Sequence, residues 1–284
     1  MPWDTGLSNL DAESDFQRAR RRQVLARLAR RLRGEPDDIN LILPFDEVVA
    51  AVGRAGERRL GLETIELRTI VGSVDRTADF DRRFRPTSNR LRERWQGINL
   101  AQRSGRGVPP ITVYRIGDLH FVRDGHHRVS VALALGHSVI EANVTEVLTQ
   151  IPAAGISDRG DLVVKGYERL FRQRVPLSDD ADTRIVCNDP WNYAELSENV
   201  EAWSFRLVQD AGEYLSRAEA ARRWYEEEYR PVVAMLHEAD LVGRGTEAEA
   251  YLRVACDRYR LIRAHDWSDE IVARLRGPRH EGRS

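Results

Sequence analysis

The chain has almost no lysine and almost no cysteine. Lys165 is the sole lysine among 284 residues, so nearly all of the 44 bases are arginines, fixed planar charges suited to phosphate and carboxylate forks. Cys187 and Cys256 are the only cysteines, in no CxxC or metal-type spacing, which argues against a disulfide framework and leaves two free thiols. No stretch approaches 18 apolar residues, and the opening MPWDTGLSNLDAESDF is acidic without the apolar core of a signal peptide. A membrane span and a secretory leader are therefore not expected, and the cytoplasm is. A basic excess is missing too: 44 bases against 45 acids give a net charge of −1, which excludes a uniformly basic nucleic-acid coat. What is present is a 42% hydrophobic content, enough to bury a core in one large or two ordinary domains.

Charge is segregated along the chain. Arg18 to Arg33 holds eight arginines and no acid, with Val24, Leu25, Leu28 and Leu32 at helical spacing and Ser14-x-x-Gln17 as a capping box ahead, which predicts an amphipathic basic helix. Arg82 to Arg106 carries eight arginines against Glu93 and includes the helix-like NRLRERWQGINLAQR. Residues 177 to 249 run the other way, with seven arginines against seventeen acids. The two basic segments are either solvated faces that pair with acids or a surface for DNA or another acidic partner. No aromatics interleave with the basic run, so a single-strand stacking platform is not signalled.

The middle of the chain alternates. Ile111 to Ile116 (ITVYRI), a Gly117-Asp118 turn and LHFV predict a β-hairpin, DGHHRVSVALALG a short helix ended by Gly136, and SVIEANVTEV a further strand. After Pro152 the pattern turns helical, interrupted from Pro176 to Pro190. Capping boxes at Ser216-x-x-Glu219 and Thr246-x-x-Glu249 lead two helices, and Pro231 is expected to kink the first. These readings give an α+β fold in three parts: an N-terminal helical region over 1–60, a small mixed-sheet domain over 61–152, and a mainly helical domain over 153–284.

Chemistry concentrates in Asp124-Gly125-His126-His127-Arg128. At a strand-to-helix junction Asp124 can cap the helix, Gly125 allows close backbone approach, and the first-turn N–H groups form an anion cradle. Arg128 can grip phosphate oxygens, and His126 or His127 can donate a hydrogen bond or move a proton. The plainer alternative is an N-cap aspartate, a histidine packed under the sheet and an arginine paired with a surface acid. His120, Asp124 and His126 lie near one hairpin end, but a protein-only transition-metal site is less expected than a hydrated Mg²⁺ carried by phosphates and held weakly by Asp124.

The stretch PPITVYRIGDLHFVRDGHHRVSVALALG resembles the signature of the ParB/sulfiredoxin superfamily, in which a Gly-x-x-Arg motif follows a β-hairpin at a helix start. ParB-type proteins carry GERR there, sulfiredoxins GCHR, and free serine kinases DGHHR, identical to Asp124 to Arg128. Ile70-Val-Gly-Ser-Val-Asp-Arg76 with Asp79-Phe80-Asp81 is similar to the first ParB box, which shapes the nucleotide pocket. The resemblance implies phosphate contacts from Ser73, Arg76, Gly125, His126, His127 and Arg128, with Asp124 and His126 as catalytic candidates. It also implies a nucleoside triphosphate or diphosphate with Mg²⁺ as cofactor. No glutamate lies between Glu66 and Glu93 to match the kinases' catalytic Glu, so Asp75 or Asp79 would substitute. The sulfiredoxin cysteine position is His126, which cannot serve as a thiolate. Where ParB proteins carry ENxxR this chain reads EANVTEV, leaving Asn143 and Glu146 as polar replacements, and no helix-turn-helix follows. The segments WYEEEYRPVV and GRGTEAEAYL resemble a helical domain of unknown function found after ParB-like domains. The expected function is nucleotide binding with NTP hydrolysis or phosphoryl transfer. Its alternatives are a chromosome-partition-like DNA-associated regulator switched by nucleotide, binding DNA through Arg18–Arg33 and Arg82–Arg106, and a non-catalytic scaffold.

Overall fold

The computed structural model describes residues 7–34, 42–178, 181, 184–212 and 214–262. It divides into two compact units, Met1–Leu162 and Val163–Ser284. The division falls within helix α5, and the boundary expected near 152 lies in the irregular segment before that helix.

The first unit contains α1 (Ser8–Arg33), β1 (Leu43–Pro44), α2 (Phe45–Val52), β2 (Arg54–Glu66), β3 (Ile70–Ser73), α3 (Arg92–Arg103), β4 (Ile111–Ile116), β5 (Leu119–Asp124), α4 (His126–Leu135) and β6 (Val139–Thr149). Residues 43–60, expected within a helical N-terminal region, instead supply β1, α2 and half of β2. The strands form one mixed sheet in the order β1-β3-β5-β4-β6-β2. The β4–β5 hairpin is antiparallel, as its turn predicts, while β4 runs parallel to β6 and β3 parallel to β5. Alternation along the strands sends Val122 to one face, with Val113, Val144 and the α4 residues Val129 and Ala132, and Phe121 to the other, with Ile116, Val147 and the α2 residues Phe45 and Val48. Gly72 is required where β3 passes β1 and β5, because a Cβ there would sit 2.6 Å from the Leu43 carbonyl and inside the Phe121 ring.

Helix α1 departs from its sequence pattern. It starts at Ser8, so Ser14 lies inside the helix rather than at its cap, and the buried face is Asp11, Ala12, Asp15, Phe16 and Gln23. Val24, Leu25, Leu28 and Leu32 are exposed, Leu32 at 81%. The aromatic at Phe16 decides this: it packs edge-on to Trp95 of α3 at 5.6 Å, and Trp95 donates to Ser130 of α4 at 2.8 Å. One buried aromatic pair thereby sets α1, α3 and α4 against each other.

The second unit holds the rest of α5 (Arg159–Arg174), then α6 (Pro190–Ala211), α7 (Arg217–Arg223), α8 (Arg230–Glu238) and α9 (Glu247–Ile262) around Trp224, Tyr251, Tyr229, Tyr193 and Phe171. Both capping boxes form at their serine and threonine: Glu219 N–H donates to Ser216 Oγ at 3.2 Å, and Thr246 and Glu249 bond reciprocally at 3.1 and 3.2 Å. Ahead of Pro231 the chain makes a π-helical turn, Trp224–Tyr229. Proline lacks an N–H and its ring crowds the carbonyl four residues back, and the wider turn relieves both while burying Trp224, Tyr225 and Tyr229. Among the described residues no helix is long and apolar enough to cross a membrane.

Candidate functional site

Helix α4 begins where β5 ends, and Gly125 makes the junction. Its φ of +106° and the Ile111 side chain filling the space a Cβ would need admit no other residue without strain. Gly125, not Asp124, is the N-cap, and no side chain caps the helix. The expected capping role of Asp124 is thus corrected: left on the strand end, its carboxylate reaches one turn forward and pairs with Arg128 through Oδ2. The helical ladder opens with Val129 N–H to the Gly125 carbonyl at 3.0 Å, so the N–H groups of His126, His127 and Arg128 precede it.

Arg128 is also less available than an exposed helix start suggests. Its Nη1 donates to the carbonyls of Pro109 and Pro110, both at 2.6 Å, and its side chain is 12% exposed. It fastens the start of β4 to α4 while flanking a cavity of about 30 Å³ lined by Arg76, Arg94, Ile98, Asp124, Gly125, His126, His127 and Arg128. On the scale of one water per ~10–15 Å³ this is room for a group the size of a phosphoryl, not for a nucleoside.

Both histidines are buried, 4% and 5% exposed. Ser73 Oγ lies 2.7 Å from His126 Nε2 and accepts the Arg76 N–H at 2.9 Å. Ser73 is fully buried and is not among the residues lining the cavity; it holds the ring of His126. Phe80 stacks on His126 at 6.2 Å and meets His127 edge-on at 5.2 Å. Burial pushes both imidazoles down to about 4; next in effect are Arg76 for His126, and Arg94 then Arg76 for His127. The rings are neutral at physiological pH, and Nδ1 of His127 has no partner among the described residues. Asp79 bridges Arg76 at 3.1 Å and Arg90 at 2.6 Å, which engages one of the two carboxylates expected to replace a catalytic glutamate. Asp75 is exposed near His126.

Three other candidates lie elsewhere. His120 bonds Thr69 Oγ1 at 2.8 Å, and among the described residues no three or more His, Cys, Asp or Glu side chains come together as a group able to hold a metal, so His120, Asp124 and His126 are not brought into one cluster. Asn143 and Glu146 lie on β6 away from the cavity lining, and Glu146 accepts from Arg115 at 2.8 Å and from Arg58 at 2.6 and 3.0 Å, which holds its carboxyl below the usual range.

Arg94 is the residue that sequence reasoning missed. It lies next to the buried Trp95 that seats α3 on α4, one turn before Ile98, and it makes no hydrogen bond or ion pair among the described residues. The tryptophan was the available signal, since a buried aromatic in NRLRERW fixes which neighbours reach α4. Comparison with protein-family models, curated proteins and solved structures yields no match.

Proposed function

We propose that the chain binds a nucleoside triphosphate or diphosphate through its phosphates at the start of α4 and acts on them, by hydrolysis or by transfer to a small acceptor. The observation that carries this reading is the convergence of Arg76, Arg94 and Arg128 on one small cavity at the start of α4, where the N–H groups of the first turn precede the helical ladder. The resemblance of DGHHR and its preceding hairpin to the ParB/sulfiredoxin superfamily supports the same ligand.

The arginines neutralise the phosphate oxygens, and the α4 backbone orients them. His126, neutral and held by Ser73, offers a hydrogen bond to charge developing on a phosphoryl oxygen. Asp124 has a 64% exposed side chain whose Oδ2 is taken by Arg128, leaving Oδ1 to accept a proton from the attacking hydroxyl or to hold one position of a hydrated cation. A single carboxylate suits Mg²⁺ brought in on the phosphates, which when bound supplies charge neutralisation. The nucleoside lies outside the cavity. Such a protein belongs in the cytoplasm, consistent with two free cysteines.

Calorimetry of ATP, ADP, CTP and GTP with Mg²⁺ tests the reading. At least one is expected to bind, and Arg94→Ala, which removes no hydrogen bond or ion pair among the described residues, is expected to weaken it about tenfold. Failure of all four would leave a scaffold, and an Arg94→Ala chain that binds as well as wild type would move the site elsewhere. A second reading, a DNA-associated regulator that uses nucleotide as a switch, is favoured by the packing of α1 beside α3, which gathers the two basic segments in one unit. It calls for sequence-independent duplex binding that falls steeply with salt.

A further inference from the structure

A second, larger cleft lies at the other end of α4 and shares no lining residue with the first. It measures about 780 Å³, within the ~300–1,000 Å³ of small-molecule sites, and is formed by the inner side of α1, the link from β2 to β3, the loop 82–85 and the last turns of α4. Six arginines line it: Arg18, Arg22, Arg68, Arg82, Arg83 and Arg85.

Their partners do not balance them. Asp15, the only acid in the lining, is 3% exposed and already takes Arg103 at 2.5 Å beside Arg18 at 3.5 Å. Arg68 pairs with Glu66, and Arg85 with Asp81 at 2.7 Å. Arg82 is spent on the carbonyl of Ser157. Six guanidiniums against three carboxylates, one of them shared with Arg103, leave an excess of at least three positive charges, and Arg22 and Arg83 make no side-chain hydrogen bond or ion pair among the described residues. The C-terminal end of α4 opposes this with roughly half a negative charge, too little to cancel it. The loop is held in shape: Asp81 Oδ1 accepts the N–H groups of Arg83 and Arg85, both at 3.0 Å, and Phe84 is fixed at φ +52° by its N–H to the Asp81 carbonyl at 2.7 Å. A strained, buried residue that splays three arginines toward one cavity is an arrangement built in advance of a ligand.

The floor is apolar, from Leu67, Ile70, Phe84 and Leu133. A concave site with cations at its rim and an apolar floor suits a compact molecule with an organic body, whereas a duplex presents only its phosphodiester edge to a flat or convex face. We propose that this cleft is a second ligand site, for an organic phosphate of nucleotide size carrying at least two negative charges, and that it works independently of the site at the start of α4.

The test uses the full chain carrying Arg94→Ala, which weakens the first site about tenfold so that the cleft dominates, and calorimetry at low salt with tripolyphosphate, pyrophosphate and ADP. Tripolyphosphate is expected to bind, and Arg22→Ala with Arg83→Ala to weaken it at least about tenfold, since each removes one charge-assisted contact. Arg83→Lys, which keeps the charge, should retain most of the affinity, and unfolding midpoints should match because neither arginine has a partner to lose. ADP should bind more tightly than pyrophosphate through its organic body. Equal tripolyphosphate affinity with and without Arg22 and Arg83 would overturn the site, and equal binding of ADP and pyrophosphate would overturn its ligand class. A duplex that depends on these arginines while tripolyphosphate does not would turn the cleft into part of a nucleic-acid face.

Discussion

Lowering the pH from 7 to 4.5 is expected to destabilise the sheet-bearing unit through three buried histidines. His120, His126 and His127 are each pushed from 6.5 down to about 4, first by burial and then by arginine fields: Arg115 on His120, Arg76 on His126, and Arg94 with Arg76 on His127. Asp118 acts the opposite way on His120, Asp124 and Asp75 on His126, and Asp79 on His127. In the unfolded chain these rings take up protons near 6.5, and in the folded chain only near 4. Between those values the unfolded state binds more protons, so stability is full above about 6.5 and falls as pH drops through the window. At about 1.4 kcal/mol per pK unit each ring contributes up to roughly 3 kcal/mol of loss by pH 4. Three rings together approach the 5–15 kcal/mol that typically separates folded from unfolded. Glu146 and Asp161 have carboxyls held below their ordinary range, so they titrate later. Urea unfolding at fixed pH, with amide exchange to resolve the two units, measures the effect. In His127→Phe, which keeps an aromatic ring against Phe80, the slope should shrink by up to about 1.4 kcal/mol per pH unit. A flat stability between pH 7 and 4.5, or an unchanged slope in His127→Phe, would refute the reasoning.

Sulfate, whose charge is constant across that window, should bind the α4 site more tightly at pH 5 than at pH 7, because an anion offsets the Arg76 and Arg94 fields that oppose protonation; titration calorimetry at the two pH values checks this. Asp124→Asn should lower stability by no more than about 1 kcal/mol, since its one ion pair is half open to water. The same change should cut phosphate release by about 10² or more while nucleotide still binds, measured on one preparation. Arg128→Ala should abolish nucleotide binding and also cost about 0.5–1.5 kcal/mol in thermal unfolding, because it removes the hydrogen bonds to the Pro109 and Pro110 carbonyls. Gly125→Ala should destabilise the first unit by about 2 kcal/mol or more, seen as a lower unfolding midpoint, since its Cβ falls inside Ile111 at a positive φ.

Local patterns determined by themselves what short-range physics decides. The ITVYRI hairpin, α4 with Gly136 beyond its end, the β6 run and the caps at Ser216 and Thr246 formed where propensity, turn chemistry and periodicity agreed within a few residues. The DGHHR junction was legible as a strand-to-helix turn for the same reason. Only the tertiary structure decided which side chains that junction meets. Asp124 lost its capping role because the φ of Gly125 moves the helix start one residue on, and Arg128 turned inward because Pro109 and Pro110, nineteen and eighteen residues earlier, offer carbonyls that no local pattern records. The leucines of α1 carried a helical period yet stayed exposed, since Phe16 on Trp95 chose the buried face, and a period says that a face exists without saying what it packs on. The arginine runs likewise gave charge without address: the shape of the 82–85 loop and the link between β2 and β3 turn five of them, with Arg68, on one cleft, through contacts as distant in the chain as that of Arg82 with Ser157, 75 residues on.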